Sequence, residues 1–121
     1  MNSPSNDDLM RRVDTLLTHV WMVRAFLKHS DEAQDDDELA EVHRELYDYM
    51  LALGGPLKEN NADEYLRIAQ KKLAKLKRAT ERFREIQPEI STHTNFQMAV
   101  TSLTAAVHEI EQVLQNLGGG V

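Results

Sequence analysis

The sequence predicts an all-α fold: an antiparallel up-down-up-down four-helix bundle with a left-handed twist. Three observations carry that expectation. Four segments repeat apolar residues at alternating steps of three and four, the seam of a helix packed against neighbours. The segments are joined by stretches of roughly five to eight residues, short enough to place consecutive helices side by side and antiparallel. Only 5 Gly and 3 Pro punctuate 121 residues, too few for a turn-rich β-sandwich.

The first helix is expected over about Asn6–His29. Its seam is Leu9, Val13, Leu16, Val20, Val23 and Leu27. Ser5 or Asn6 can cap it, and Asp7 and Asp8 suit the positive end of the helix dipole. The second is expected over about Asp36–Leu53, with the seam Leu39, Val42, Leu46, Tyr49 and Leu53. Asp side chains in Ser30–Asp37 supply its cap. Gly54-Gly55-Pro56 is expected to stop it, glycine taking the left-handed position and proline breaking the hydrogen bonding. The third spans about Ala62–Ile86. Its stripe, Leu66, Ala69, Leu73, Leu76, Thr80 and Phe83, is weakened by a hydroxyl and a small residue. Pro88 is expected to end it, and Ser91 or Thr92 to open the fourth. That helix runs over about Thr92–Leu117, with Phe96, Val100, Leu103, Val107, Ile110, Leu114 and Leu117 as the cleanest seam.

A single domain, residues 1–121, follows from the length, since a chain of roughly this size buries enough surface for one core. Residues 1–5 and 118–121 are expected to fray. The polar start, with two aspartates and no apolar run, does not read as a secretory signal. No stretch approaches the roughly 20 apolar residues that span a bilayer. The expected setting is cytoplasmic, and no membrane partner is read. With no cysteine, a disulfide scaffold, a Cys zinc site and a thiol nucleophile are excluded.

The charge is strongly polarised on a chain of net charge −6. Residues Asp31–Tyr49 hold nine acids and one base, while Asp63–Glu85 hold eight bases and four acids. The favoured reading is attraction between neighbouring helices, which helps specify topology. A nucleic-acid surface is disfavoured, because the basic stretch lacks a base-reading motif and the host is acidic.

None of the five histidines fits the metal motifs of helical bundles. No His has Glu three residues before it, so the paired Glu-x-x-His motif of di-metal bundles is absent. His-x-x-x-Glu and His-x-x-x-His pairs are absent too, and a histidine phosphotransfer pattern does not fit His19 or His108. No metal and no cofactor is read from the sequence. No catalytic residue is assigned, as no Ser–His–Asp arrangement, acid pair or Gly-rich phosphate loop can be placed.

Two features exceed the seams. Met10, Leu17 and Trp21 form a second apolar stripe on the first helix, extended by Met22 and Phe26. Such a stripe reads either as the edge of a broad core or as an interface. The uncharged segment Ser91–Gln97 is rich in hydrogen-bonding groups, as expected of a capped turn or of a small ligand site. The expectation drawn is a non-catalytic bundle, more a partner than an enzyme. It would act through protein–protein contacts as a homodimer or adaptor subunit, with Met10, Leu17, Trp21 and Met22 as interface. The alternative is a metal- or small-ligand-binding bundle, or an enzyme, using inter-helix histidines, with His19, His43, His93 and Asn95 as candidate ligand residues.

Overall fold

The computed structural model describes residues 4–119, and within them the fold is all α, with six helices and no strand. The helices are α1 (Asn6–Lys28), α2 (Asp31–Asp35), α3 (Asp37–Lys58), α4 (Ala62–Lys71), α5 (Leu73–Ile90) and α6 (Thr94–Gly119). Residues 1–3, 120 and 121, where fraying was expected, lie outside the described residues. None of the helices is long and apolar enough to cross a membrane, among the described residues.

Capping chemistry sets the start of α1. The Ser5 side chain accepts from the Asp8 N–H while the Asp8 carboxylate accepts from the Ser5 N–H, a reciprocal capping box. Ser5 is thus the N-cap of α1. Ser30 caps α2 by accepting from the Ala33 N–H, and Asp36 caps α3 by accepting from the Leu39 N–H at 2.9 Å. The expected loop before the second helix therefore contains a helical turn and a half.

The Gly54-Gly55-Pro56 stop does not occur. The helix runs through it to Lys58, and no described glycine has a positive φ. The physical reason lies in Gly55. Proline clashes with the Cβ of the residue before it, and Gly55 has none. The left-handed position falls instead on Asn60, at φ 54°. The Asn60 N–H donates to Leu57 and the Asn61 N–H to Pro56, the two bonds of a Schellman cap. Asn61 then caps α4, accepting from the Glu64 N–H.

The expected third helix is broken at Lys72 into α4 and α5. The buried Tyr49 hydroxyl donates to the Ala69 carbonyl at 2.8 Å, occupying an acceptor of the α4 backbone at the point where the ladder ends. Such insertion of a side chain is a recognised cause of helix breaks. Pro88 sits within the last turn of α5 rather than ending the helix before it. The fourth expected helix begins at Thr94, two residues later than anticipated, because His93 provides the cap.

One hydrophobic cluster unites the helices. The predicted seam of the second helix is buried throughout: Leu39, Val42, Leu46, Tyr49 and Leu53. Leu66, Ala69, Leu76, Thr80 and Phe83 are buried, with Leu73 partly so. Phe96, Leu103, Val107, Ile110 and Leu114 are buried on α6. Tyr65, fully buried, lies outside any predicted seam. Helix α1 packs most extensively on α6 and α3, α5 packs on α6 and α3, and α4 packs on α3 and α1. Phe26 of α1 meets Phe96 of α6 edge to face, with ring centroids 5.0 Å apart.

Candidate functional site

Helix α1 is flanked by two surface grooves, and their walls follow from its register. Steps of three and four place Asp14, Leu17, Thr18 and Trp21 along one flank. Met50, Leu53, Gly54 and Leu57 face them from α3, enclosing about 240 Å³. Carbon dominates the lining; Asp14 and Thr18 supply the polar groups. Gly54 borders open space, where a Cβ would meet no atom within 4 Å. Along the other flank, Met22, Val23 and Phe26 face Asn95, Met98, Ala99 and Ser102 of α6, enclosing about 290 Å³.

The α1/α3 groove ends at Trp21, and there the chemistry changes. The Arg24 guanidinium lies over the Trp21 ring at 4.9 Å from its centroid and over the Tyr47 ring at 4.5 Å. Cations favour this position over the electron-rich faces of aromatic rings. The Arg24 Nε is buried and has no hydrogen-bond partner, and none of the ion pairs among the described residues involves Arg24. Next to it, burial first, and then the charges of Arg24, Arg44 and Lys28, hold the His43 imidazole below its usual range. This neighbourhood is positive within an acidic protein.

The expected interface residues divide. Met10 and Leu17 are core residues, 3% and 6% exposed, whereas Trp21 and Met22 are 47% and 68% exposed. A wider core face claims the first two, because α1 is packed on α6, α3 and α4 at once. The candidate ligand residues also separate. The His19 Nδ1 faces the Ser102 hydroxyl of α6 at 3.5 Å, so it does not meet His43, which belongs to the Arg24 neighbourhood. The His93 Nδ1 accepts from the Asn95 N–H at 3.0 Å, the position of a helix N-cap. Asn95 lines the α1/α6 groove. No group of three His, Asp or Glu among the described residues could hold a metal ion.

The remaining depressions suit this chemistry less. Glu32, Asp35, Asp36, Glu38 and Glu89 line a hollow where α2 and α3 approach the end of α5, a surface that repels anions. Of the expected attraction between acidic and basic helices, the pair Arg82–Glu41 at 3.5 Å joins α5 to α3. Sequence reasoning did not single out Arg24 and Tyr47. A signal existed in the spacing, because Trp21 and Arg24 stand three apart on a helix, but the contribution of α3 is visible only after packing.

Comparison with known proteins bears on this surface. No curated protein and no solved structure matched the chain. The family model of cobalamin adenosyltransferase matches residues 8–117, nearly the whole length. That match overturns the expectation of a non-catalytic protein acting through protein–protein contacts, and with it the expectation that the chain is more a partner than an enzyme. The second apolar stripe that suggested an interface is equally compatible with a helical enzyme, and function resides in sites rather than in folds. The alternative of a ligand-binding bundle or enzyme agrees better with the match. The two grooves on α1 and the cation at the end of one of them therefore belong to a member of the cobalamin adenosyltransferase family.

Proposed function

We propose that this protein transfers an adenosyl group to cobalamin, and that helix α1 brings the two substrates together. The family match over residues 8–117 carries this reading. Two grooves on either flank of one helix suit a two-substrate reaction. Holding both reactants in one geometry removes much of the entropic barrier of a bimolecular step. In this reading the adenosine moiety of the donor enters the α1/α3 groove, where Met50, Leu57 and Trp21 offer apolar and aromatic surface and Gly54 leaves room for a flat ring. The apolar edge of the acceptor rests on Met22, Phe26 and Met98, of which Met22 and Met98 are 68% and 58% exposed. Methionine side chains adapt to irregular apolar surfaces.

The same reading keeps the four-rod arrangement. Helices α1, α3, α4 with α5, and α6 act as the rods of an up-down-up-down, left-handed bundle forming one domain. The mutual packing of α1 with α3 and α6, and of α5 with the same two, supports it. The absence of cysteine supports a cytoplasmic setting.

The test is direct. Purified protein incubated with reduced cobalamin and ATP is expected to yield adenosylcobalamin, quantified by chromatography against a protein-free control. Folded protein that forms no product above the control would overturn the reading.

A further inference from the structure

Helices α1 and α6 run antiparallel in a register fixed by three contacts. Arg12 pairs with Glu109 at 3.3 Å, the His19 Nδ1 lies 3.5 Å from the Ser102 hydroxyl, and Phe26 meets Phe96 edge to face. Each step up one helix is therefore a step down the other. One turn beyond His19 on α1 stands Met22, and one turn before Ser102 on α6 stands Met98. Both methionines line the same groove as Ser102. The register thus gathers one imidazole and two thioethers on a single stretch of surface.

Core packing does not account for these two methionines. Met22 and Met98 are exposed, whereas Met10 is buried and Met50 partly buried. Val23 and Ala99, both buried, share the groove with them, so its floor is carbon and sheds water. Asn95 and Ser102 supply the polar groups, and its lining holds no carboxylate. Imidazoles and carboxylates alone build no metal centre among the described residues; thioether sulfur adds the donors they lack. Hard cations prefer oxygen ligands, whereas thioethers select Cu(I), for which imidazole is also a suitable ligand. These donors are neutral, and the net charge of −6 favours the approach of a cation.

We propose that His19, Met22 and Met98 form a Cu(I) site on the α1/α6 surface. The ligands are the His19 Nε2 and the two thioether sulfurs. The other ring nitrogen, Nδ1, is turned to the Ser102 hydroxyl, the kind of contact that orients a metal-binding imidazole. Each sulfur sits on a flexible, unbranched side chain that can close on the ion. Zn(II) is a poor match, because it favours four ligands drawn from thiolate, imidazole and carboxylate. The site stands apart from adenosyl transfer: it needs neither cobalamin nor ATP, and either reading can fail without the other.

The test uses untagged protein with its methionine methyls isotopically labelled for NMR. It is titrated anaerobically with Cu(I), kept reduced by ascorbate, against the chromophoric chelator bicinchoninate. The protein is expected to withdraw one Cu(I) per chain and to shift the Met22 and Met98 methyl resonances, leaving those of Met10 and Met50 in place. Zn(II) is expected to shift none of them. Losing a group that merely orients a ligand costs a metal site roughly 10–100-fold in affinity, so His19→Gln, Met22→Leu and Met98→Leu are each expected to weaken Cu(I) by at least about tenfold. Met50→Leu is expected to bind as wild type does. Leucine keeps the volume of methionine, and circular dichroism checks each fold; the wild-type methyl shifts decide the matter if a variant does not fold. Protein that withdraws no copper, copper that leaves the Met22 and Met98 methyls in place, or folded site variants that bind as wild type overturn the proposal. Zn(II) held by the same residues as tightly as Cu(I) overturns it as well.

Discussion

Tyr49 and Tyr65 are both buried, yet their hydroxyls stand in opposite circumstances. Tyr49 donates to the Ala69 carbonyl, whereas the Tyr65 hydroxyl has no partner. Burial raises the pKa of both phenols, and for Tyr65 the nearby charge of Asp14 adds to the effect. Removing one partner of a buried hydrogen bond leaves the other unsatisfied, while removing an unpaired hydroxyl relieves a desolvated group. Tyr49→Phe is therefore expected to destabilise the protein by about 1–2 kcal/mol. Tyr65→Phe is expected to be neutral or to stabilise it by up to about 1 kcal/mol; urea unfolding of the two variants checks both. His43 gives the pH dependence at this scale. Its folded-state pKa lies below the unfolded value of 6.5, from burial and from Arg24, Arg44 and Lys28. The unfolded chain then binds more protons, so the stability is present above pH 6.5 and is lost as pH falls through the lowered value. Melting temperatures at pH 8 and pH 5.5 are expected to differ more for wild type than for His43→Gln.

Helix ends show what periodicity leaves unsaid. Apolar spacing located the core faces, because burial on one side imposes it directly on the chain; the second seam is buried at all five positions. Terminations depend on local backbone geometry, where several residues compete. Gly55 relieved the clash that Pro56 would otherwise impose, and the left-handed cap passed to Asn60. Asparagine tolerates positive φ where a β-branched residue does not. Asn60→Val is expected to cost about 1–2 kcal/mol, and Asn60→Gly to be close to neutral, measured by thermal unfolding. The break at Lys72 was not legible for a different reason. It depends on the Tyr49 hydroxyl reaching a carbonyl twenty residues away, and no local pattern contains that information.

At the scale of the whole molecule, the all-α class and most of the core were legible, and the candidate grooves only in fragments. Trp21, Met22, His43 and Asn95 were singled out from the sequence and line or adjoin the two grooves. Met10 and Leu17 were drawn into the interior because α1 meets three neighbouring helices, a fact of assembly rather than of one helix's pattern. Enzymatic character was not legible, since no Gly-rich loop or paired acids announce it in the chain. If α1 carries the donor, ligand should stabilise the entire fold, because anything that binds only the folded state shifts unfolding by mass action. ATP at a hundred times its dissociation constant is expected to add about 2.7 kcal/mol. That corresponds to a rise of roughly ten to twenty degrees in melting temperature for a domain of roughly 100 residues. Gly54 brings a last consequence. It sits inside α3 with open space where a side chain would go, so Gly54→Ala is expected to stabilise the helix by about 0.5–1 kcal/mol while its methyl narrows the groove. If that groove holds a substrate, thermal tolerance and turnover would pull one codon in opposite directions, and a library selected for heat resistance alone would accumulate alanine there at the expense of catalysis.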